Sequence, residues 1–120
     1  MKRDMDLIRL ILLKIEKEVD GEPVWDLSIE GYDMKQVAYH CKLLWEHGFI
    51  DEYSPDDGDD ELLDFAVGSL TWEGHEYLDT VRDNGFWNKI KTVMKDKMIP
   101  MTLSFVISTA EAFVCKQLGL

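Results

Sequence analysis

The stretch YHCKLLWEHGFI, residues 39–50, decides the fold. Up to His47 its apolar residues recur with helical spacing. Gly48 then interrupts the pattern, and the next pair, Phe49-Ile50, is apolar and strand-like. A glycine just past the last helical residue supplies the left-handed backbone that closes a helix. A helix stopped by glycine and followed at once by a strand is how a winged-helix domain joins its recognition helix to its wing.

Upstream, Met34, Val37, Ala38, Cys41, Leu44 and Trp45 form a stripe of period 3.6, which predicts a buried face. Lys35, Gln36, Tyr39, Lys42 and Glu46 fall on the opposite face, and Asp33 is placed to cap the helix. Before it, VWDLSIEGYD (24–33) stands where a helix-turn-helix protein has another helix. It is too short for a long one, so a brief strand through Val24, Leu27 and Ile29, or a single turn, is expected. Residues 4–19 read as a helix with Leu7, Ile8, Ile11, Leu12, Ile15 and Val19 on one stripe. Leu10 and Leu13 widen that stripe, predicting cover on two sides, by the rest of the domain or by a partner. Asp4 and Asp6 suit the positive end of the helix dipole, and Lys14 and Lys17 the other. Asp20-Gly21-Glu22-Pro23 ends it.

Downstream, Phe49 to Tyr53 reads as a strand and SPDDGDDE (54–61) as an acidic turn. Leu62 and Leu63 lead into a returning strand with Phe65, Val67 and Leu70. Thr71 caps a helix that turns Gly74, Tyr77, Leu78 and Val81 inward. Asn84-Gly85 breaks the chain. The next helix buries Phe86, Trp87, Ile90, Val93 and Met94 and leaves Lys89, Lys91, Lys95 and Lys97 largely outside. Beyond Pro100, Thr102 caps a last helix with Leu103, Val106, Ile107, Ala110 and Val114 on one side. Ser104, Ser108, Thr109 and Ala112 give it small residues that let another helix approach. The fold class is α+β, mostly helical: a winged helix-turn-helix core over residues 1–83 with a small β-hairpin wing, and a C-terminal helical extension over 84–120 that packs on the core or forms a dimer interface.

A chain of 120 residues, 46% hydrophobic, builds a core without staples. Its net charge is −11, and residues 48–70 hold eight acidic residues and no basic one. Exposed charges are screened beyond ~8 Å at physiological salt, so an acidic wing can coexist with a cationic helix face. Cys41 and Cys115 lack ligand spacing and read as reduced core residues of a cytoplasmic protein. The start, MKRDMDLIRL, carries charges within its apolar stretch and is not a signal peptide. MIPMTLSFVISTAEAFVC (98–115) contains Pro100 and Glu111 and reads as a buried or subunit-facing helix, not a membrane span.

Catalytic chemistry finds little support. His75-Glu76 lacks a second histidine four residues on. His40 and His47 lie seven apart on one helix, too far for one metal without a third ligand. The run Asp56, Asp57, Asp59, Asp60, Glu61 fails the register of a calcium loop, since Pro55 stands where a ligand is needed. No nucleophile elbow or phosphate-cradling glycine loop is present. The expectation is a protein with no enzyme activity, no metal and no cofactor.

MKRDMDLIRLILLKIE, YHCKLLWEHGFID and LTWEGHEYLDTVRDNGFWNKIK, in this order and spacing, resemble small bacterial, phage and prophage proteins classed as domain of unknown function 2513. The resemblance covers roughly residues 1–98. It implies a winged-helix-like fold and a bacterial or mobile-element origin, and it brings no functional residues with it. The pattern from Leu70 to Leu78 also looks like the strand-to-helix exit of many winged-helix regulators.

Two functions follow as expectations. In the first, the chain is a DNA-binding transcriptional regulator, acting as a homodimer, that reads double-stranded DNA through Lys35, Gln36, Tyr39 and Lys42. Lys2, Arg3 and Arg9, or the lysines of 89–97, would add phosphate contacts. In the second, the winged helix is the scaffold of an acidic accessory factor or inhibitor. Its wing, Asp56, Asp57, Asp59, Asp60 and Glu61, would then occupy the basic surface of a host nucleic-acid-binding or defence protein.

Overall fold

Asp4 starts the first helix, α1 (Met5–Glu18), by accepting the amide hydrogens of Asp6 and Leu7 at 2.9 and 3.2 Å. The computed structural model describes residues 1–59 and 61–120. It divides into two units, Met1–Glu76 and Tyr77–Leu120. In the first unit α1 buries Met5, Leu7, Ile8, Ile11, Leu12 and Ile15. Arg9 is buried too, which removes it from the exposed cations that could meet a phosphate.

Strand β1 is only Val24–Trp25. The expected run through Leu27 and Ile29 is cut short because Asp26 takes a left-handed backbone (φ 51°). Asp26 is held there by pairing with Phe65 both ways. Its amide donates to the Phe65 carbonyl at 2.8 Å, and its carboxylate accepts the Phe65 amide at 3.0 Å. Leu27 and Ile29 are buried all the same. A turn closed by the Tyr32 amide on the Ile29 carbonyl, 3.1 Å, then leads straight to the second helix.

That helix, α2 (Met34–His47), begins in a reciprocal capping box: the Asp33 carboxylate accepts the Gln36 amide, and the Gln36 side chain accepts the Asp33 amide. His40, 1% exposed, ties it to α1. Its Nδ1 lies 2.7 Å from the Gln36 carbonyl, and its Nε2 accepts the backbone amide of Asp4 at 2.8 Å. That network places the ring proton on Nδ1. Val37, Ala38, Cys41 and Leu44 are buried as the periodicity predicts. Met34 and Trp45 are not; 37% and 46% exposed, they sit at the margins of the stripe.

Gly48 ends α2 at φ 90°. Its amide bonds to the Trp45 carbonyl and the Phe49 amide to the Leu44 carbonyl, at 3.0 and 2.8 Å. These paired bonds are the Schellman arrangement, with Phe49 turned into the core.

The sheet is antiparallel with order β1-β3-β2, where β2 is Tyr53–Gly58 and β3 is Glu61–Val67. Two expectations change. Residues 49–52 do not form a regular strand; Ile50 and Leu70 make an isolated bridge. The Asp51 side chain accepts the Ser69 amide and fills the space beside Gly68, where a Cβ would come within 2.0 Å of it. The segment 54–61 is mostly strand rather than turn, since Ser54 to Gly58 pair with β3. Proline and repeated carboxylates are tolerated because β2 is an edge. Phe65 directs its backbone groups to Asp26, so Pro55 opposite it faces the free side, where no amide is needed.

Thr71 joins the hairpin to α3 (Trp72–Val81). Its amide donates to the Phe49 carbonyl at 3.0 Å, and its hydroxyl donates to the Gly48 carbonyl while accepting the Gly74 amide. Gly74 lies so close to this junction that a Cβ there would stand 2.1 Å from the Phe49 oxygen.

The second unit contains α4 (Asn84–Asp96) and α5 (Leu103–Gln117). Asn84-Gly85 does not break the chain. Asp83 caps α4, accepting the Phe86 amide at 2.8 Å, so this pair forms the first helical turn. Trp87, Ile90 and Met94 are buried on α4, and Val106 and Ala110 on α5. The Phe86 and Phe113 rings meet edge-to-face at 5.9 Å, with the Lys89 ammonium 4.7 Å from the centre of Phe113. Val114, expected inside, is 45% exposed, and Cys115, expected in the core, is exposed. No helix among the described residues is long and apolar enough to cross a membrane.

The Gly48–Gly74 junction predicts unequal costs for adding one methyl group. Gly74→Ala should lower stability by about 3 kcal/mol, since the displaced atom is backbone. Gly48→Ala, with open space around it, should cost only the left-handed backbone, ~1 kcal/mol. Urea unfolding of both variants measures this; a neutral Gly74→Ala contradicts the packing.

Candidate partner-binding groove

Lys35, Tyr39 and Lys42 follow one another at helical spacing on α2, while Tyr53, Pro55 and Asp57 alternate along β2. The first set is one wall of a groove of about 450 Å³; the second, with Glu61 and Leu62 of β3, is the other. Lys35 and Lys42 are exposed and Tyr39 and Tyr53 half-buried. Among the described residues neither lysine is within ion-pair distance of a carboxylate. Opposite charges thus line facing walls over an apolar floor of Ala38, Leu62 and the tyrosine rings.

An aromatic series extends from this floor. Trp45 lies 6.5 Å from Tyr53, and Tyr53 lies 6.1 Å from Phe65, both tilted. Burial, and then the charge of Asp57, raises the Tyr53 phenol above its ordinary value, so it presents a neutral hydroxyl. This wall was missed in the sequence because 54–58 read as turn. Once Pro55 and Asp57 belong to a strand, alternation places them beside Tyr53.

The other candidate residues are elsewhere. Gln36 uses its carboxamide in the α2 cap. Asp56 lies on the opposite face of the hairpin from Tyr53 and Pro55, directly across from Asp64. Asp59 is exposed in the turn at φ 49°. Asp60 lies outside the described residues. The histidines are dispersed: His40 is in the core, His47 lies against Phe49, and His75 is exposed 3.8 Å from Glu16. Among the described residues, no group of three or more His, Cys, Asp or Glu is placed to hold a metal ion.

Asp64 lies across from Asp56, on the face of the hairpin away from the groove. One of its carboxylate oxygens is buried and has no hydrogen-bond partner among the described residues. Desolvation first, then the charges of Asp56 and Asp26, raises its pKa above the usual 3.8.

This chain belongs to the family described as "Hypothetical protein (DUF2513)", whose model matches residues 2–100. An "Uncharacterized protein" of Haemophilus influenzae is 36% identical to it over 121 residues, covering 99% of this chain and 100% of that relative. No solved structure matches the chain.

Asp64 gives a pH test whose sign follows from its raised pKa. The folded state keeps the Asp64 proton to higher pH than the unfolded chain does, so stability falls as pH rises through that interval. Asp64→Asn removes this loss. Its urea midpoint should therefore gain on the wild type as pH rises above the ordinary carboxylate range. A difference that stays constant over that rise contradicts the raised pKa.

Proposed function

We propose that this member of the family is a non-enzymatic winged-helix module that binds a protein partner through the α2–hairpin groove. The observation that carries the reading is the sharing of one groove by Lys35 and Lys42 with Asp57 and Glu61. Were α2 to enter a major groove, these carboxylates would travel with it toward the phosphates. Two lysines offer a weak grip, since log affinity falls with salt by only ~0.9 per neutralised phosphate, and DNA-binding proteins commonly engage several. Across 48–70, eight acidic residues with no basic one favour a basic protein surface, such as one that itself holds nucleic acid. The winged-helix reading is supported by the element order α1, β1, α2, β2, β3 and the strand order β1-β3-β2.

The same arrangement favours a second reading, a DNA-binding regulator acting as a homodimer. It rests on the exposure of Lys35 and Lys42 on the helix before the hairpin. Parallel assays separate the two. One is affinity capture of the partner from the native host; the other is a low-salt shift assay on DNA upstream of the gene. On the protein reading, Asp57→Asn with Glu61→Gln weakens partner capture about tenfold, a change of ~1.4 kcal/mol, and no DNA is retained. DNA retention abolished by Lys35→Ala with Lys42→Ala, and capture indifferent to the carboxylates, would overturn it in favour of the regulator.

A further inference from the structure

A second groove, of about 430 Å³, lies wholly within the second unit. Phe86 at the start of α4, with Ile107, Ala110 and Val114 of α5, gives it an apolar floor. Asp79, Asp83 and Glu111 stand around that floor. Arg82 pairs with Asp79 at 2.8 Å, and Asp83 holds the α4 cap. The rim keeps a net negative charge.

We propose that this groove receives a basic amphipathic helix of a partner protein, with its apolar stripe on the floor and its lysines or arginines against the rim. Ile107, Ala110 and Val114 recur at helical spacing, so the floor runs straight along α5 for about 10 Å, two turns of an incoming helix. A groove between helices accepts the side-chain ridge of another helix, and acidic rims select basic flanks. Neither α4 nor α5 of a second copy supplies that element. The lysine-bearing α4 has Trp87, Ile90 and Met94 buried, leaving no apolar face to insert. An incoming α5 would bring its own Glu111 to a rim that is already acidic. Nucleic acid would meet the same carboxylates.

This inference is independent of the α2–hairpin groove, and Cys115 supplies its test. Cys115 lines the groove and is exposed. Cys41 is fully buried, with its thiol pushed up to about 12 by desolvation, and serves as a silent internal control. The probe is a synthetic helix of about 18 residues, roughly five turns, with leucines at i, i+3, i+4 and i+7 and flanking lysines. Its analogue carries glutamate in place of lysine. At about five times its Kd, the lysine peptide should slow iodoacetamide alkylation of Cys115 roughly sixfold in the full chain. The glutamate analogue should leave the rate unchanged, and Glu111→Lys and Val114→Ser should each abolish the protection. Either substitution is at an exposed position, and unaltered circular dichroism confirms the fold. Absent protection, equal protection by both peptides, or protection surviving both substitutions overturns the proposal. Protection that grows with protein concentration alone, together with a dimer in sedimentation, also overturns it and assigns the groove to a second copy.

Discussion

The structure of the first unit depends on how closely the backbone around Phe49 approaches the start of α3. The Phe49 carbonyl accepts the Thr71 amide, the Gly48 carbonyl accepts the Thr71 hydroxyl, and Gly74 leaves room for both. Each part constrains the others. Without a left-handed residue at Gly48, α2 would not stop in register. Without a bare backbone at Gly74, α3 could not begin so near it. His40 adds a second tie, from the middle of α2 to the N-cap residue of α1, Asp4. With α2 held at its middle and its end, its outer face has a fixed relation to the hairpin, and the fold itself sets the two walls of the groove. Such preorganisation lowers the ordering cost of binding.

Charge shapes what such a groove can hold. The hairpin concentrates acidic residues on an edge strand, where they also defend against pairing with another sheet. Pro55 contributes by removing an amide from the free side. The same carboxylates that protect the edge give the facing lysines a counter-wall. The α2 face is therefore not a simple cationic surface but half of a mixed one.

Much of this was legible in the sequence, because short-range chemistry decided it. The glycine stop after His47, the caps at Asp33 and Thr102 and the stripes of α1 and α2 all follow from periodicity and capping. The sequence marks Asp4 only as a charge favourable to the dipole, yet it caps α1 through its side chain and meets His40 through its backbone. What the sequence concealed was decided at longer range. The hairpin is legible, but the extent of its first strand is not, because proline and aspartate usually signal a turn and nothing local reveals that a strand is an edge. Spacing alone places Trp45 and Met34 in the core, though the buried arc of α2 is narrower than its apolar arc. Asn84-Gly85 looked like a break because the capping role of Asp83 outweighs a weak helix former in a first turn. The groove itself required Tyr53, Pro55 and Asp57 to be on one face, so it disappeared with the misread strand.

The most direct measurement is amide hydrogen exchange at Phe49 and Thr71 in the full chain under native conditions. If the junction is the constraint that holds α2 to the hairpin, both amides open only with the core and exchange as slowly as Leu12 in α1. Exchange at the rate of exposed loop amides, while Leu12 remains protected, would contradict a groove fixed by this junction.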